Sequence, residues 1–469
     1  MLRKLAFSWN LALAVLLLLA ACGTVQDTPT VVLPAATSSP TQPASTPTQT
    51  PTQIPVAPPS PTPTPSPTAP SPTSATATSA SIPTSTPTAT RPPTPTRTAT
   101  PTRTPTRTAT ATPTMVKPPP PGGPDQVGGP LPILNNVGVI SIPMTSYGTN
   151  GLEVDMETGL VYVANNSGTA MAQWCGKAPV VKANTNTLNV IDPVKRQEIE
   201  VEPTDRAPIW PLVDPERNVV YVATSSGTVA VHAKGTGEKA TSIQVGGVPH
   251  ATALNSETDL LVVTNSKDGS QEYISIVNVE SRSLVRHLQV PKFPHPAVMD
   301  ADKGLAYVLS LESGKVTVVD MVGGQVVKSF GTSAPGDKYL GAAQMAFSPD
   351  TRQLYLTRLA MPDQPYNIYA VDVDTGAITG RVSGFVSGKP AWGIAVDETN
   401  RLIYAVIGDS RHIGVADMDT LKPLAMIEVD ECPWAVKLDV GRGLGFVSTV
   451  TNSTVNVFDL NKVKQAVGK

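Results

Sequence analysis

The sequence predicts an all-β protein: a seven-bladed β-propeller of four-stranded antiparallel blades, closed by an N-terminal strand and carried on a Thr/Pro-rich stalk. Three observations predict it. A short signature returns seven times between Leu152 and Val447. Each return brings four β-prone runs separated by turn residues. No part of the folded region shows helical periodicity, so no helix is expected.

The signature is a small acidic or polar residue followed, seven positions later, by an aromatic residue or Val on a β-rich run. The pairs are Asp155 and Tyr162, Asp214 and Tyr221, Asn255 and Val262, Asp300 and Tyr307, Ser348 and Tyr355, Asp397 and Tyr404, and Asp439 and Phe446. The inner offset is fixed, while successive signatures lie about 40 to about 60 residues apart. Constant register inside variable loops is how a repeat architecture appears in sequence.

The second unit shows the pattern most clearly. Pro211 to Val213 is apolar, and Asp214-Pro215-Glu216-Arg217-Asn218 is a tight turn. Val219 to Ala223, Thr228 to Val231 and Thr241 to Val245 are further strands, divided by turns at Ser225-Ser226-Gly227 and around Gly235 and Gly237. Seven such meanders bury both faces of every sheet when they stack radially. The last unit has strands near Val436, from Leu444 to Ser448 and from Thr454 to Phe458, but no fourth. Val137 to Ile142, ahead of the first signature, resembles the missing strand and is expected to close the ring.

The first 21 residues read as an export signal. Arg3 and Lys4 supply the positive start, and Leu11 to Ala20 an apolar core too short to span a bilayer comfortably. Leu19-Ala20-Ala21-Cys22 resembles a bacterial lipobox, so Cys22 is expected to be lipidated and to hold the protein at a membrane. Residues 22–130 are dominated by Thr, Pro, Ser and Ala. Such a segment cannot bury a core and is expected to be a disordered, polyproline-like stalk, at most about 3.1 Å per residue when extended. The implied location is extracytoplasmic, with the propeller facing outward.

Residues 131–469 form the predicted propeller. Of 35 basic residues seven precede Leu131, and of 37 acidic residues two do, so this part carries about −7. Phosphate backbones need clustered Lys and Arg, so no nucleic-acid partner is expected. Nor is a cofactor or metal expected, and a monomer is.

Val161-Tyr162-Val163-Ala164-Asn165, Val262-Val263-Thr264-Asn265 and Leu354-Tyr355-Leu356-Thr357 resemble the YVTN-type β-propeller repeats. So do Val248-Pro249-His250-Ala251 and Cys432-Pro433-Trp434-Ala435, where that family has a Pro before its innermost strand. The resemblance covers the whole folded part. It implies the fold and leaves the function open, because such repeats occur in surface proteins, nucleic-acid binders and subunits of quinoprotein-like dehydrogenases. The first unit departs from the pattern by an insertion from Ser167 to Thr187.

Counting five residues back from each signature's polar residue gives Asn150, Ile209, His250, His295, Ala343, Trp392 and Trp434. These are expected to ring the mouth of the central channel, with Trp210 one position further in. Two Trp and two His on one rim make a recognition surface, since amphipathic aromatics supply both contact area and hydrogen bonds. Arg358 and Arg411 would add positive charge on the same face. The two His lack a nearby carboxylate in sequence, which argues against a metal site. Cys175, in the insertion, and Cys432, before the last blade, are expected to form a disulfide across the ring closure.

The chain has no Gly-x-Ser-x-Gly elbow, phosphate loop or His-Glu-x-x-His motif. The reading is therefore a non-enzymatic, lipid-anchored module presenting one face to a surface protein, glycan or small ligand. The rivals are an extracytoplasmic enzyme of lactonase or lyase type, using His250, His295 and an arginine, and a redox-partner subunit resembling those of quinoprotein amine dehydrogenases. Pro294-His295-Pro296 is similar to a short stretch in propeller lactonases.

Overall fold

Strands here are short, five to seven residues in most cases, and rich in Val, Ile and Tyr. In a computed structural model, described for residues 130–146, 148–166, 186–265, 273–333, 342–358, 366–385, 389–408 and 410–469, they assemble into seven four-stranded antiparallel sheets. In six sheets the strand order follows the chain. The seventh joins Pro433–Asp439, Leu444–Thr449 and Thr454–Asp459 to Ile140–Pro143. That last strand pairs Ile140 with Val457 and Pro143 with Thr454, so the expected N-terminal closure is present.

The innermost strands of consecutive blades touch all the way round, including that of blade 7 (Pro433–Asp439) against that of blade 1 (Thr149–Val154). The sheets therefore fan about one axis. Burial follows from this packing: every residue of Leu402–Ile407, the second strand of blade 6, is buried. The outermost strands of blades 3 and 4, Ser283–Gln289 and Gln325–Gly331, are almost wholly exposed.

The signature has a physical cause. Its polar residue ends the innermost strand and caps the turn that follows, as where Asp439 accepts from the Arg442 N–H at 2.9 Å and Asp155 from that of Glu157 at 3.0 Å. Four positions on, each of the seven turns needs a left-handed residue. Gly159, Gly304 and Gly443 supply it cheaply, and Asn218, Asp259, Arg352 and Arg401 adopt it with φ between 55° and 58°. The aromatic partner then lies buried in the second strand, and Tyr307 donates to Asp300 at 3.1 Å. Arg352, from the turn of blade 5, reaches the same Asp300 at 2.5 Å and so ties two blades together. Lys234 of blade 2 does likewise for Asp155 of blade 1 at 3.4 Å.

Two features differ from expectation. A short helix, Leu460–Ala466, follows the last strand, with Asp459 as its N-cap. Two turns are too few to establish a helical period in sequence, and only Leu460 and Val463 are buried. The chain also touches blade 6 before it closes blade 7: Ile133 forms a parallel bridge to Met426, and the Leu134 N–H donates to the Met426 carbonyl at 2.8 Å. No helix among the described residues is long and apolar enough to cross a membrane. The signal segment, Cys22 and the stalk lie outside the described residues.

Candidate functional site

Each innermost strand opens with a break in register. In blade 3, Pro249 pairs with Asn265 and the ladder resumes only at Thr252 with Val263. The same shift occurs in the other six blades. A bulge of this kind re-aims the side chains around it. Here it decides which residues meet the axis.

The seven residues counted five back from the signature are each the second of an innermost strand, and all are buried. Four of them meet in two pairs between blades. His250 and His295 have ring centroids 5.1 Å apart, with Phe293 against His250 at 5.7 Å. Trp392 and Trp434 stack at 5.0 Å with planes 25° apart. The Trp392 indole lies so close to Gly408 that a Cβ there would stand 1.9 Å from its Nε1. Asn150 is equally buried, and its carbonyl accepts from the Ser448 hydroxyl at 2.9 Å.

Burial lowers the pKa of both imidazoles. His250 lies well below the usual histidine range, with repulsion from His295 as the second cause. His295 falls to about 4, its burial only partly offset by a hydrogen bond with the Ala343 backbone. Both rings are neutral at pH 7.

The channel wall is built by the residues that follow. An axial cavity of about 280 Å3 is lined from all seven innermost strands. Its wall is mostly small or aliphatic: Ala251, Ala297, Val298, Met345 and Ile394 are representative. The polar lining residues are Glu153, Trp210, Thr252, Gln344 and Lys437. Lys437 donates to Glu153 at 2.7 Å, joining blades 7 and 1 across the closure. Trp210 lies over Gly151, where a Cβ would stand 2.1 Å from the indole. Its Nε1 is buried and has no hydrogen-bond partner among the described residues, and the same holds for the Thr252 hydroxyl.

Trp210 is thus the one residue singled out from sequence that lines this cavity. Arg358 is buried rather than solvated: its Nη1 donates to the Thr332 carbonyl at 3.2 Å and its guanidinium lies 4.4 Å from the Tyr369 ring centroid. Arg411 is exposed, 3.7 Å from Glu428. Cys432 is buried, while Cys175 and most of the insertion lie outside the described residues. Among the described residues no group of three or more His, Cys, Asp or Glu is gathered as metal ligands would be.

Sequence reasoning missed Glu153, Lys437, Thr252 and Gln344. Glu153 and Lys437 each stand two before the signature's polar residue, so a period-two reading of that strand would have put them on one face. Thr252 and Gln344 stand three and four before it, at the bulge, where that period does not hold.

Fold and cavity define a seven-bladed β-propeller with an apolar axial channel. No protein-family model matches the chain, and no curated protein does. Among solved structures, the chain resembles one titled Kuenenia stuttgartiensis hydrazine synthase, with a TM-score of 0.56 and 14% sequence identity, over 70% of this chain and 98% of that one. That likeness shows the fold.

Proposed function

We propose that this chain is a non-enzymatic binding module: a propeller of YVTN type, exported as a lipoprotein, anchored through Cys22 and held outside the cytoplasm on its Thr/Pro-rich stalk. It acts by rigid display. Seven interlocked blades fix the loops and the channel at their centre, and a partner or ligand is taken without conformational cost to the scaffold.

The observation that carries this reading is the state of the groups around the axis. The wall is apolar with a few convergent polar groups, the composition of a ligand pocket. Its acid and base, Glu153 and Lys437, neutralise each other. The imidazoles that acid–base chemistry would need are packed between blades, His295 with a pKa of about 4. Asn150, His250, His295, Trp392 and Trp434 brace the channel mouth from within in this proposal, and Arg358 anchors the connection beside it.

The Cys175–Cys432 bridge belongs to the same proposal. Its support is that Cys432 is buried where the last blade opens and that the chain's other cysteines are Cys22 and Cys175. It would fasten the blade 1 insertion to the strand that opens blade 7.

The test is a screen of glycans, metabolites and surface proteins on the full-length protein, alongside membrane fractionation of Cys22→Ser. Saturable binding with no ligand turnover, and release of the Cys22→Ser variant from membranes, are expected. Turnover of a bound compound would overturn the non-enzymatic reading, and unchanged fractionation would overturn the anchor.

A further inference from the structure

We propose that the outer rim of blades 3 and 4 docks onto an anionic phospholipid surface. The contact lies on the outside of the ring, away from the axial channel, and does not depend on a lipid at Cys22.

Exposed apolar side chains gather at this rim. Ten large apolar residues stay exposed among the described residues, and five of them are Leu284, Val285, Val322, Val326 and Val327, between 37% and 71% exposed. Four stand on the outermost strands Ser283–Gln289 and Gln325–Gly331, and Val322 stands in the turn that leads into the second. The two edges are neighbours, because Arg286 of blade 3 donates through Nη1 to the Gly324 carbonyl in that same turn, at 3.0 Å. Both strands break register at one place, which leaves Val285 and Val327 without a partner residue. A bulge re-aims the side chains around it. Leu284 and Val285 are therefore exposed together, and so are Val326 and Val327, where a regular strand would alternate.

Charge selects the occupant. Arg282, Arg286 and Lys328 frame the patch, all exposed and none in an ion pair among the described residues. In the two adjoining turns, Glu280 lies 3.6 Å from Arg217, and Asp320 accepts from the Gly323 N–H at 2.8 Å. The result is a cationic corner on an otherwise acidic propeller. A second copy seated on this corner would set these cations against themselves. An added strand is also disfavoured, since Lys and Arg on an edge oppose such pairing. Where the chain itself runs along a blade edge, at Ile133 beside Met426, the strand Pro423–Glu428 holds neither. Aliphatic tips among basic side chains suit a bilayer, with Val and Leu entering the headgroup boundary and the cations meeting phosphate. Anchoring through Cys22, as proposed above, would keep the rim close to such a surface, where weak contact suffices.

The experiment uses full-length Cys22→Ser protein, which offers no thiol for a lipid at that position. It is floated with vesicles of phosphatidylglycerol and phosphatidylcholine in equal parts, or of phosphatidylcholine alone. Binding to the anionic vesicles only is expected, and it should be lost at about 0.5 M salt. Replacing Arg282, Arg286 and Lys328 together by Gln should weaken it about 100-fold, about fivefold for each cation. Val285→Ser combined with Val327→Ser should weaken it about tenfold with the urea midpoint unchanged, since both side chains are exposed. Val194→Ser is the control. Val194 is exposed on blade 1 ahead of the acidic strand Gln197–Pro203, and its loss should leave binding as it was.

The proposal is overturned if anionic vesicles are not bound, if neutral vesicles bind equally well, or if neither rim variant weakens binding. It is overturned as well if the rim variants instead abolish a dimer that forms without lipid, which would make the patch a contact between copies. The anchor reading fails separately. In fractionated membranes, retention of Cys22→Ser that a high-salt wash removes belongs to the rim, and retention that survives the wash counts against the anchor.

Discussion

Trp392 and Trp434 stack between blades 6 and 7, with centroids 5.0 Å apart and both rings almost fully buried. Their first role is cohesion, because an indole pair of this geometry is worth more than its buried area alone. Trp392→Ala and Trp434→Ala should each cost about 3–5 kcal/mol of stability. The double variant should cost clearly less than the sum, since each single change already removes the stack. Urea unfolding of the four proteins measures this, and simple additivity would show that the rings do not support each other.

The signature clamp should differ in strength between blades. Asp300 is buried and receives hydrogen bonds from Tyr307 and Arg352. Asp300→Ala should cost about 1–3 kcal/mol by leaving the buried Tyr307 hydroxyl without its acceptor and Arg352 with Asp374 as its remaining carboxylate. Asn255 sits at the same place in blade 3, but Val262 replaces the tyrosine and Asn255 makes only long contacts, 3.3 Å from the Thr258 N–H and 3.5 Å to the Ala301 carbonyl. Asn255→Ala should therefore cost less than Asp300→Ala, and the reverse order in thermal or urea melts would contradict the clamp.

Acid should destabilise the propeller in two stages. His232 and His295 each have a folded-state pKa of about 4 against an ordinary 6.5, burial being the main cause. Between those values the unfolded chain binds protons that the folded one refuses. Stability is therefore fully present above pH 6.5 and falls as pH drops toward 4, by up to about 1.4 kcal/mol per pH unit for each ring. A second loss follows below pH 3.8, where the unfolded chain's Asp374 takes up a proton that the folded one, lowered to about 2 chiefly by hydrogen bonding from Arg352, still refuses. Urea midpoints from pH 7.5 to 4.5 should fall, and His295→Asn should make that fall shallower. An unchanged slope would mean His295 does not titrate this way.

Ring closure should depend on one strand of four residues. Ile142 is fully buried and pairs with Val455. Ile142→Ala should cost about 2–5 kcal/mol, measured by urea unfolding. Val139, just ahead of that strand, is exposed, so Val139→Ala is expected to cost under about 0.5 kcal/mol and serves as the control.

The proposed bridge has a direct chemical check. Peptide mapping of unreduced protein should recover Cys175 linked to Cys432, and free thiol at both positions would end that part of the proposal.

The fold was legible because its repeat is local. Asp300 and Tyr307 sit on two strands joined by one turn, so their offset survives any change in outer loop length. The site was less legible because its geometry is not local. Residues five back from the signature count correctly along the chain, but the bulge turns His250 and Trp392 between blades and hands the axis to Ala251 and Gly393. Glu153 and Lys437 lie 284 positions apart and meet only because the ring closes. The terminal helix escaped for a different reason, since two buried positions do not make a period.

The parallel bridge between Ile133 and Met426 has a mechanical consequence. The chain comes to the propeller along the rim of blade 6 before it reaches blade 7. A pull on its N-terminal end is thus met first at Ile133, at a contact whose rupture leaves every blade whole. Only a larger force, after that sacrificial latch has given way, reaches the zipper from Ile140 to Pro143 and threatens to unclasp the disc.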